Sequence, residues 1–280
     1  MAKIINSNEE FLRHIPNNIQ IGKGEIPLFD KISPFLDLAE DWVQNTFTSD
    51  STYNTICGYA ESNPTRWHTA RLVVADAMRR ALPSLDVILS ANGFAVVSTN
   101  NLAPASKPRV DRLVGSMLTH RDDCISALLP ELVGASKWLG SKQAEFFGST
   151  LFPTLAIVDA FGGSKDSPKW EKYLELHPQL LDIEASLAEE WFSPELMAEL
   201  RYENLRGTLS TECSAVVRQI KAQIVAVLRG GCLNTRRLAD VVNFIRQRED
   251  IFEAWHSSDV AELFRPPVFR NRKNSAGYFF

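Results

Sequence analysis

The residues with chemically reactive side chains are scattered along the chain, and none of them forms a known catalytic or metal-binding pattern. Neither HExxH, the GxSxG nucleophile motif nor a glycine-rich phosphate loop is present. Adjacent acids such as Glu189-Glu190 point to different faces of a predicted helix. The histidines stand alone, at His14, His68, His120, His177 and His256. The sequence therefore predicts no metal site, no cofactor and no enzymatic activity.

The cysteine usage indicates the cellular compartment, and the net charge indicates the class of partner. The four cysteines are too widely separated for a CxxC site, and in a 280-residue chain this favours reduced thiols in a cytoplasm. The amino-terminal residues contain no signal-peptide pattern, and no apolar run is long enough to span a membrane. The formal net charge of −4 argues against a protein whose main task is to coat nucleic acid.

Four arginines on one predicted helix form a local concentration of positive charge: Arg66, Arg71, Arg79 and Arg80. Such a row could contact DNA or another phosphate group, and it could equally be the solvated face of an ordinary helix. Both interpretations stay open at this point.

The elements that must position these residues are mainly helical. Serine-proline or asparagine-proline pairs predict helix starts at Ser33-Pro34 and Asn63-Pro64, since proline is tolerated in the first turn. The longest helix is predicted to start between Pro104 and Pro108. Three further helices are predicted by apolar residues at helical spacing, over residues 178–204 with an interruption at Ser193-Pro194, 211–228 and 234–255.

A single β-hairpin is predicted over residues 85–98, turning at Asn92-Gly93. Its strands carry apolar residues on both faces, including Ile88, Phe94 and Val96. Two strands alone are marginally stable in water. The hairpin could cover its own helices, and the interpretation we favour is that it contacts a neighbouring subunit or another partner.

The last residues of the chain have no helical pattern. They contain several basic residues and no acid between residues 264 and 280. Their aromatic side chains are Phe269, Tyr278, Phe279 and Phe280. Because exposed aromatic surface is unfavourable in water, this arm is predicted to dock, either on its own chain or on a neighbouring subunit.

Two similar pentapeptides suggest an internal duplication. Leu38–Trp42 and Leu187–Trp191 read LAEDW and LAEEW and are 149 residues apart (187 − 38), and the helices starting at Pro64 and Thr211 are 147 apart (211 − 64). The alternative is chance, because Leu, Ala and Glu are common in helices.

The predicted fold is thus a mainly α helical bundle with one β-hairpin, with duplication of a three-helix, adaptor-like unit and chance similarity as the two open interpretations of the pentapeptides. Its parts are a helical domain at residues 1–161 containing the hairpin, a second helical domain or half at 169–264, and an extended carboxy-terminal arm at 265–280. The apolar hairpin and the aromatic arm are the predicted partner-binding segments.

A resemblance to a known family is carried by three segments. Residues 85–110 read LDVILSANGFAVVSTNNLAPASKPRV, the opening contains IINSNEEF and the end reads FRNRKNSAGYFF. These segments resemble an uncharacterised family of tailed phages and prophages of gut anaerobes. The order helix, helix, hairpin, long helix is in turn similar to head–tail connector (adaptor) proteins.

This resemblance implies a structural virion protein. Copies of the chain, commonly twelve, would form a ring that joins the portal protein to the tail or to a second connector protein, with DNA passing through the channel without sequence readout. Assembly would take place in the host cytoplasm, with no membrane involved. The alternative function is that of a monomeric helical binding or regulatory protein that contacts DNA through Arg66, Arg71, Arg79 and Arg80.

Overall fold

The computed structural model of the chain describes residues 2–15, 27–85, 87–90, 93–96, 106–161 and 168–265. This part of the chain is a bundle of helices. The helices are α1 (Asn8–Arg13), α2 (Leu28–Val43), α3 (Asp50–Cys57), α4 (Pro64–Ala81), α5 (Lys107–Leu132), α6 (Lys142–Gly148), α7 (Ala156–Phe161), α8 (Lys169–Leu187), α9 (Pro194–Arg206), α10 (Thr211–Leu228), α11 (Thr235–Arg246), α12 (Glu253–His256) and α13 (Asp259–Leu263).

Two short strands lie between α4 and α5. β1 (Val87–Ser90) and β2 (Gly93–Val96) pair in antiparallel register, with Val87 opposite Val96 and Leu89 opposite Phe94. Ser90 pairs with Gly93, and the predicted turn at Asn92-Gly93 lies partly outside the described residues. The side chains of both strands lie outside the described residues.

The helices fall into two halves, residues 2–148 and 149–265, that repeat a set of local structures. In each half a six-residue helix, α1 or α7, precedes a long helix, α2 or α8. Each long helix carries a buried glutamate that accepts a backbone N–H from the start of its own half: Ile4 N donates to Glu40 Oε1 at 2.9 Å, and Leu151 N donates to Glu184 Oε1 at 2.8 Å. Each carboxylate therefore fixes the position of the backbone at the start of its half.

Both long helices end in the same irregular way. A five-residue π-helical turn follows each of them, at Gln44–Thr48 and at Ala188–Phe192. The next residue is a serine in a conformation rare for L-residues, Ser49 with φ 71° and Ser193 with φ 65°. This pair is 144 residues apart (193 − 49), and each serine precedes the following helix.

A buried tryptophan fastens each π-helical turn. The indole N–H of Trp138 donates to the Phe47 carbonyl at 2.7 Å, and that of Trp255 donates to the Trp191 carbonyl at 3.0 Å. Phe47 and Trp191 are again 144 apart (191 − 47) and are both the fourth residue of their turn. The two tryptophans are fully buried, so the donors need these carbonyl partners.

The 18-residue helices α4 and α10 are also equivalent. The side chains of Asn63 and Ser210 cap them, each accepting the N–H of the third helical residue. The polar side chains buried in α4 include Asp76, and α10 buries Gln223. Their starts are 147 residues apart (211 − 64), as the sequence predicts. The halves diverge afterwards, since α5 has 26 residues and α11 only 12.

The structure corrects the pentapeptide alignment. Leu38–Trp42 lies entirely within α2, whereas Ala188–Trp191 belongs to the π-helical turn, so Trp42 and Trp191 are not equivalent. The division of the chain also differs from the predicted one, because α7 packs on α8 and α10 and so belongs with the second half. One continuous cluster of buried side chains runs through both halves.

Candidate functional site

Three of the four arginines predicted to contact phosphate are held by internal partners. Arg66 bonds the Glu10 carboxylate at 2.9 Å and the Tyr59 carbonyl at 2.7 Å. Arg79 and Arg80 both bind the fully buried carboxylate of Asp76, at 2.8 and 2.5 Å. Their charge neutralises an acid that would otherwise be isolated in the core.

The fourth arginine, Arg71, has no hydrogen bond or ion pair among the described residues. It is half-buried on α4. The structure therefore does not bring the four arginines together as a row of free cations.

The predicted partner-binding residues fall into two groups, one on the paired strands and one outside the described residues. Ile88, Phe94 and Val96 lie on the paired strands, where the backbone is described and the side chains are not. Phe269, Tyr278, Phe279 and Phe280 lie outside the described residues. The structure does describe the surfaces next to the arm, including Leu263 at the end of α13.

The closest approach to a nucleophile–base pair is that of Ser149 and His177. The Ser149 Oγ atom lies 3.1 Å from His177 Nε2, but the hydroxyl donates to the Phe146 carbonyl at 2.7 Å, and His177 Nε2 lies 3.3 Å from the same carbonyl. A ring nitrogen beside a carbonyl oxygen is a donor, so Nε2 is not available as a base there. This histidine fastens α8 to α6.

His14 is buried against Trp67, with ring centroids 4.6 Å apart. Its Nδ1 atom has no hydrogen-bond partner among the described residues. Burial lowers the pKa of His14 to about 4, because the charged imidazolium is poorly solvated there.

Acidification should therefore destabilise the protein through His14. A depressed folded-state pKa contributes stability above the unfolded pKa of about 6.5, and that contribution is lost as the pH falls towards 4. His14→Leu should flatten the fall in the urea midpoint over this range. His68→Leu is the control, since His68 is less enclosed and should account for less of the slope; equal slopes for His14→Leu and the parent protein would contradict the prediction.

The most extensive aromatic contact in the described structure joins the two halves. The receiving surface, defined here as the π-helical turn Gln44–Thr48 together with Phe146 and Phe147 of α6, is covered by α8. Trp170 packs on Phe47 with ring centroids 4.9 Å apart, and His177 stacks on Phe146 at 4.2 Å. The halves thus meet through unlike surfaces, the receiving surface of the first and α8 of the second.

A buried ionic cluster reinforces this contact. Arg121 of α5 is 2% exposed and bonds Asp122 at 2.7 Å and Glu171 of α8 at 2.6 Å. Its guanidinium also lies 5.9 Å from the ring centroid of Trp42. Burial raises the pKa of Asp122, and Arg121 and the backbone N–H of Lys169 counteract that rise. The cluster ties α2, α5 and α8 together.

No set of histidine, cysteine, aspartate or glutamate side chains in the described part of the chain is placed to hold a metal ion. Among the described helices, none combines the length and the apolar content that crossing a bilayer requires. A cleft of about 570 Å³ lies between α10 and α11, and its polar lining includes Arg218, Arg237 and Asp240. The contact between the halves, by contrast, is a packing surface.

Residues 24–147 match a protein family of unknown function, DUF6712. The matched range lies within the first half and runs through α2, α4, the strands, α5 and almost all of α6. It therefore contains the complete receiving surface. No curated protein and no solved structure matches the chain.

Proposed function

We propose that this protein is a structural virion component, a head–tail connector (adaptor) whose copies form a ring between the portal protein and the tail or a second connector. In this proposal the two halves are duplicated copies of one adaptor-like helical unit. A ring of twelve copies encloses a channel through which DNA passes without sequence readout. The protein has no catalytic role and no cofactor, is assembled in the host cytoplasm and resides in the virion.

The observation that carries the proposal is the contact between the halves. Like units are joined by unlike surfaces, because the receiving surface of the first half packs on α8 of the second. A contact of this kind does not close on itself between two units; repeated between subunits, it generates a ring or a filament. The resemblance to phage connector proteins favours the ring.

The hairpin and the arm are proposed to supply contacts between subunits. Apolar residues at Ile88, Phe94 and Val96 would pack on a neighbouring subunit or on the portal. The aromatic residues of the arm would do the same. The paired backbone of β1 and β2 is compatible with this role, since a two-stranded ribbon needs apolar cover to be stable.

Removal of residues 265–280 should weaken assembly without unfolding the helices. We expect light scattering of the full chain, alone and with the portal protein of the same particle, to give a fixed multiple of the subunit mass. The truncated chain should give a lower mass with unchanged helical circular dichroism. A single-chain mass for the full chain under both conditions would contradict the proposal.

The alternative, a monomeric DNA-binding protein, is less well supported. Arg66, Arg79 and Arg80 are engaged by Glu10 and Asp76. Affinity for DNA that falls steeply with salt and is lost in Arg71→Glu would favour this alternative over the connector.

A further inference from the structure

The second half contains a counterpart of the receiving surface. Trp191 takes the position of Phe47, since each accepts an indole N–H through its carbonyl. Phe264 takes the position of Phe147. The ring centroids of Phe264 and Trp191 are 5.8 Å apart, and those of Phe147 and Phe47 are 6.0 Å apart. We define the terminal face as Trp191, Leu263 and Phe264 with the acids around them.

The helix geometry around this face repeats as well. Ser141 caps α6 by accepting the Ala144 N–H, and Ser258 caps α13 by accepting the Ala261 N–H. Each serine comes three residues after the buried tryptophan of its half. Counting from these caps, Leu263 corresponds to Phe146.

The two surfaces differ in what covers them. Phe146 stacks on His177 of α8. Its counterpart Leu263 is 74% exposed, and α13 is the last helix that the structure describes. An apolar side chain of this size at the end of a helix, beside two partly buried aromatic residues, is suited to a partner.

Charge distinguishes the surfaces further. The positions around the receiving surface are Asn45, Thr46, Lys142 and Glu145, with a formal sum of zero. Their counterparts around the terminal face are the four acids Glu189, Glu190, Asp259 and Glu262. Arg265 pairs with Glu262 at 3.3 Å and Arg246 donates to the Phe264 carbonyl, so the formal sum with these two arginines is −2. All four of these acids are exposed. A partner for the terminal face should therefore combine aromatic and positively charged residues.

Helix α2 of another copy does not have this chemistry. α2 is the counterpart of α8, and at the 144-residue offset its residues Phe29 and Ser33 replace Tyr173 and His177. Phe29 already packs on Phe11, with ring centroids 6.0 Å apart. The exposed acids of α2, among them Asp30, would face the acids of the terminal face.

The arm of the chain does have this chemistry. Residues 266–280 contain Arg270, Arg272 and Lys273, no acid, and four aromatic residues. Fifteen residues can span at most about 50 Å when extended, enough to reach a neighbouring subunit. Pro266 follows Arg265 directly, and proline disfavours the helical conformation of the residue before it. The sequence therefore predicts that α13 does not continue into the arm.

We infer that the terminal face binds residues 266–280 of a neighbouring copy of this chain, the aromatic residues packing on Trp191, Leu263 and Phe264 and the cations pairing with the surrounding acids. This inference rests on the proposed ring and identifies the contact that closes it. It makes each subunit both donor and acceptor of an arm.

Two charge-reversal variants test the contact. The face variant carries Glu189→Lys and Glu190→Lys, and the arm variant carries Arg270→Glu and Arg272→Glu. We expect each variant alone to assemble at least tenfold more weakly than the parent chain. An equal mixture should recover assembly, because parent arms meet parent faces and reversed arms meet reversed faces. Glu249→Lys with Asp250→Lys, another adjacent exposed acidic pair, is the matched control and should assemble normally.

Sedimentation of the separate and mixed variants, with trypsin cleavage in the arm as a second readout, separates the outcomes. If the parent chain assembles and the face variant does too, the inference fails while the connector proposal stands. In another outcome the parent chain is monomeric and the mixed variants do not assemble either. If the arm of the parent is then protected from trypsin by its own acidic face, the arm binds within its own chain and the inference is overturned. A parent chain that stays monomeric with the portal protein present and has an unprotected arm overturns the inference together with the proposed ring.

Discussion

Replacing Arg121 by methionine is expected to lower the free energy of unfolding by about 3–5 kcal/mol. The guanidinium makes four hydrogen bonds, two to Asp122 and two to Glu171, at 2.6–3.0 Å. Without it the carboxylate of Asp122, which is 3% exposed, keeps only the Lys169 N–H as a partner. An uncompensated buried charge costs far more than the ion pair contributes.

The double variant Arg121→Met with Asp122→Asn should recover most of the loss. The asparagine carbonyl can still accept the Lys169 N–H, and Glu171 is half-exposed and can be solvated. Urea denaturation gives the free energies directly. The control is Arg13→Met, which removes two solvent-exposed ion pairs and should lower the free energy of unfolding far less than Arg121→Met. Equal losses for Arg13→Met and Arg121→Met would contradict the assignment of Arg121 as the central ion of the interface.

Trp138→Ala and Trp255→Ala should each lower the free energy of unfolding by about 3–5 kcal/mol. Both side chains are at most 1% exposed, and each donates its indole N–H to the fourth residue of a π-helical turn. Because the two environments are equivalent, we expect losses of similar size, although the sequences around the two tryptophans differ.

Thermal and urea unfolding of the two variants measure this equivalence. Trp138→Phe and Trp255→Phe keep most of the packing and remove the donor, so each should lose about 1–3 kcal/mol through the unpaired carbonyl. Trp67→Ala is the control, since Trp67 is 38% exposed and makes no such hydrogen bond. A large loss at one tryptophan and none at the other would contradict the equivalence of the halves.

The sequence predicts the repeat better than it predicts the register of the repeat. Apolar spacing places α4 and α10 at the correct offset because their starts carry recognisable caps, Asn63 and Ser210. The similarity of LAEDW to LAEEW is misleading, since the second pentapeptide lies mostly in a π-helical turn. Hydrophobic spacing at 3.6 residues per turn does not distinguish such turns from regular helix.

Proline explains two errors in helix bounds. Pro34 and Pro178 are predicted to start helices, but both lie inside them, in α2 (Leu28–Val43) and α8 (Lys169–Leu187). The preference of proline for the first helical turn is statistical, and tertiary packing outweighs it here. The predicted interruption at Ser193-Pro194 is confirmed, with Ser193 at positive φ.

The sequence predicts the candidate site less well than it predicts the fold. Counting arginines on α4 does not reveal that Asp76 of the same helix holds Arg79 and Arg80, although the i,i+3 and i,i+4 spacing is a visible signal. The receiving surface combines the π-helical turn Gln44–Thr48 with α6, and α8 covers it; both helices are distant in sequence from that turn. Only the folded chain brings those aromatic residues together.

The central claim, that copies of this chain join through unlike surfaces into a closed ring, is tested most directly by electron microscopy of the full chain mixed with the portal protein of its particle. We predict rings of uniform diameter that disappear when residues 265–280 are removed. Isolated particles of one chain, unchanged by concentration, portal or truncation, would contradict the claim.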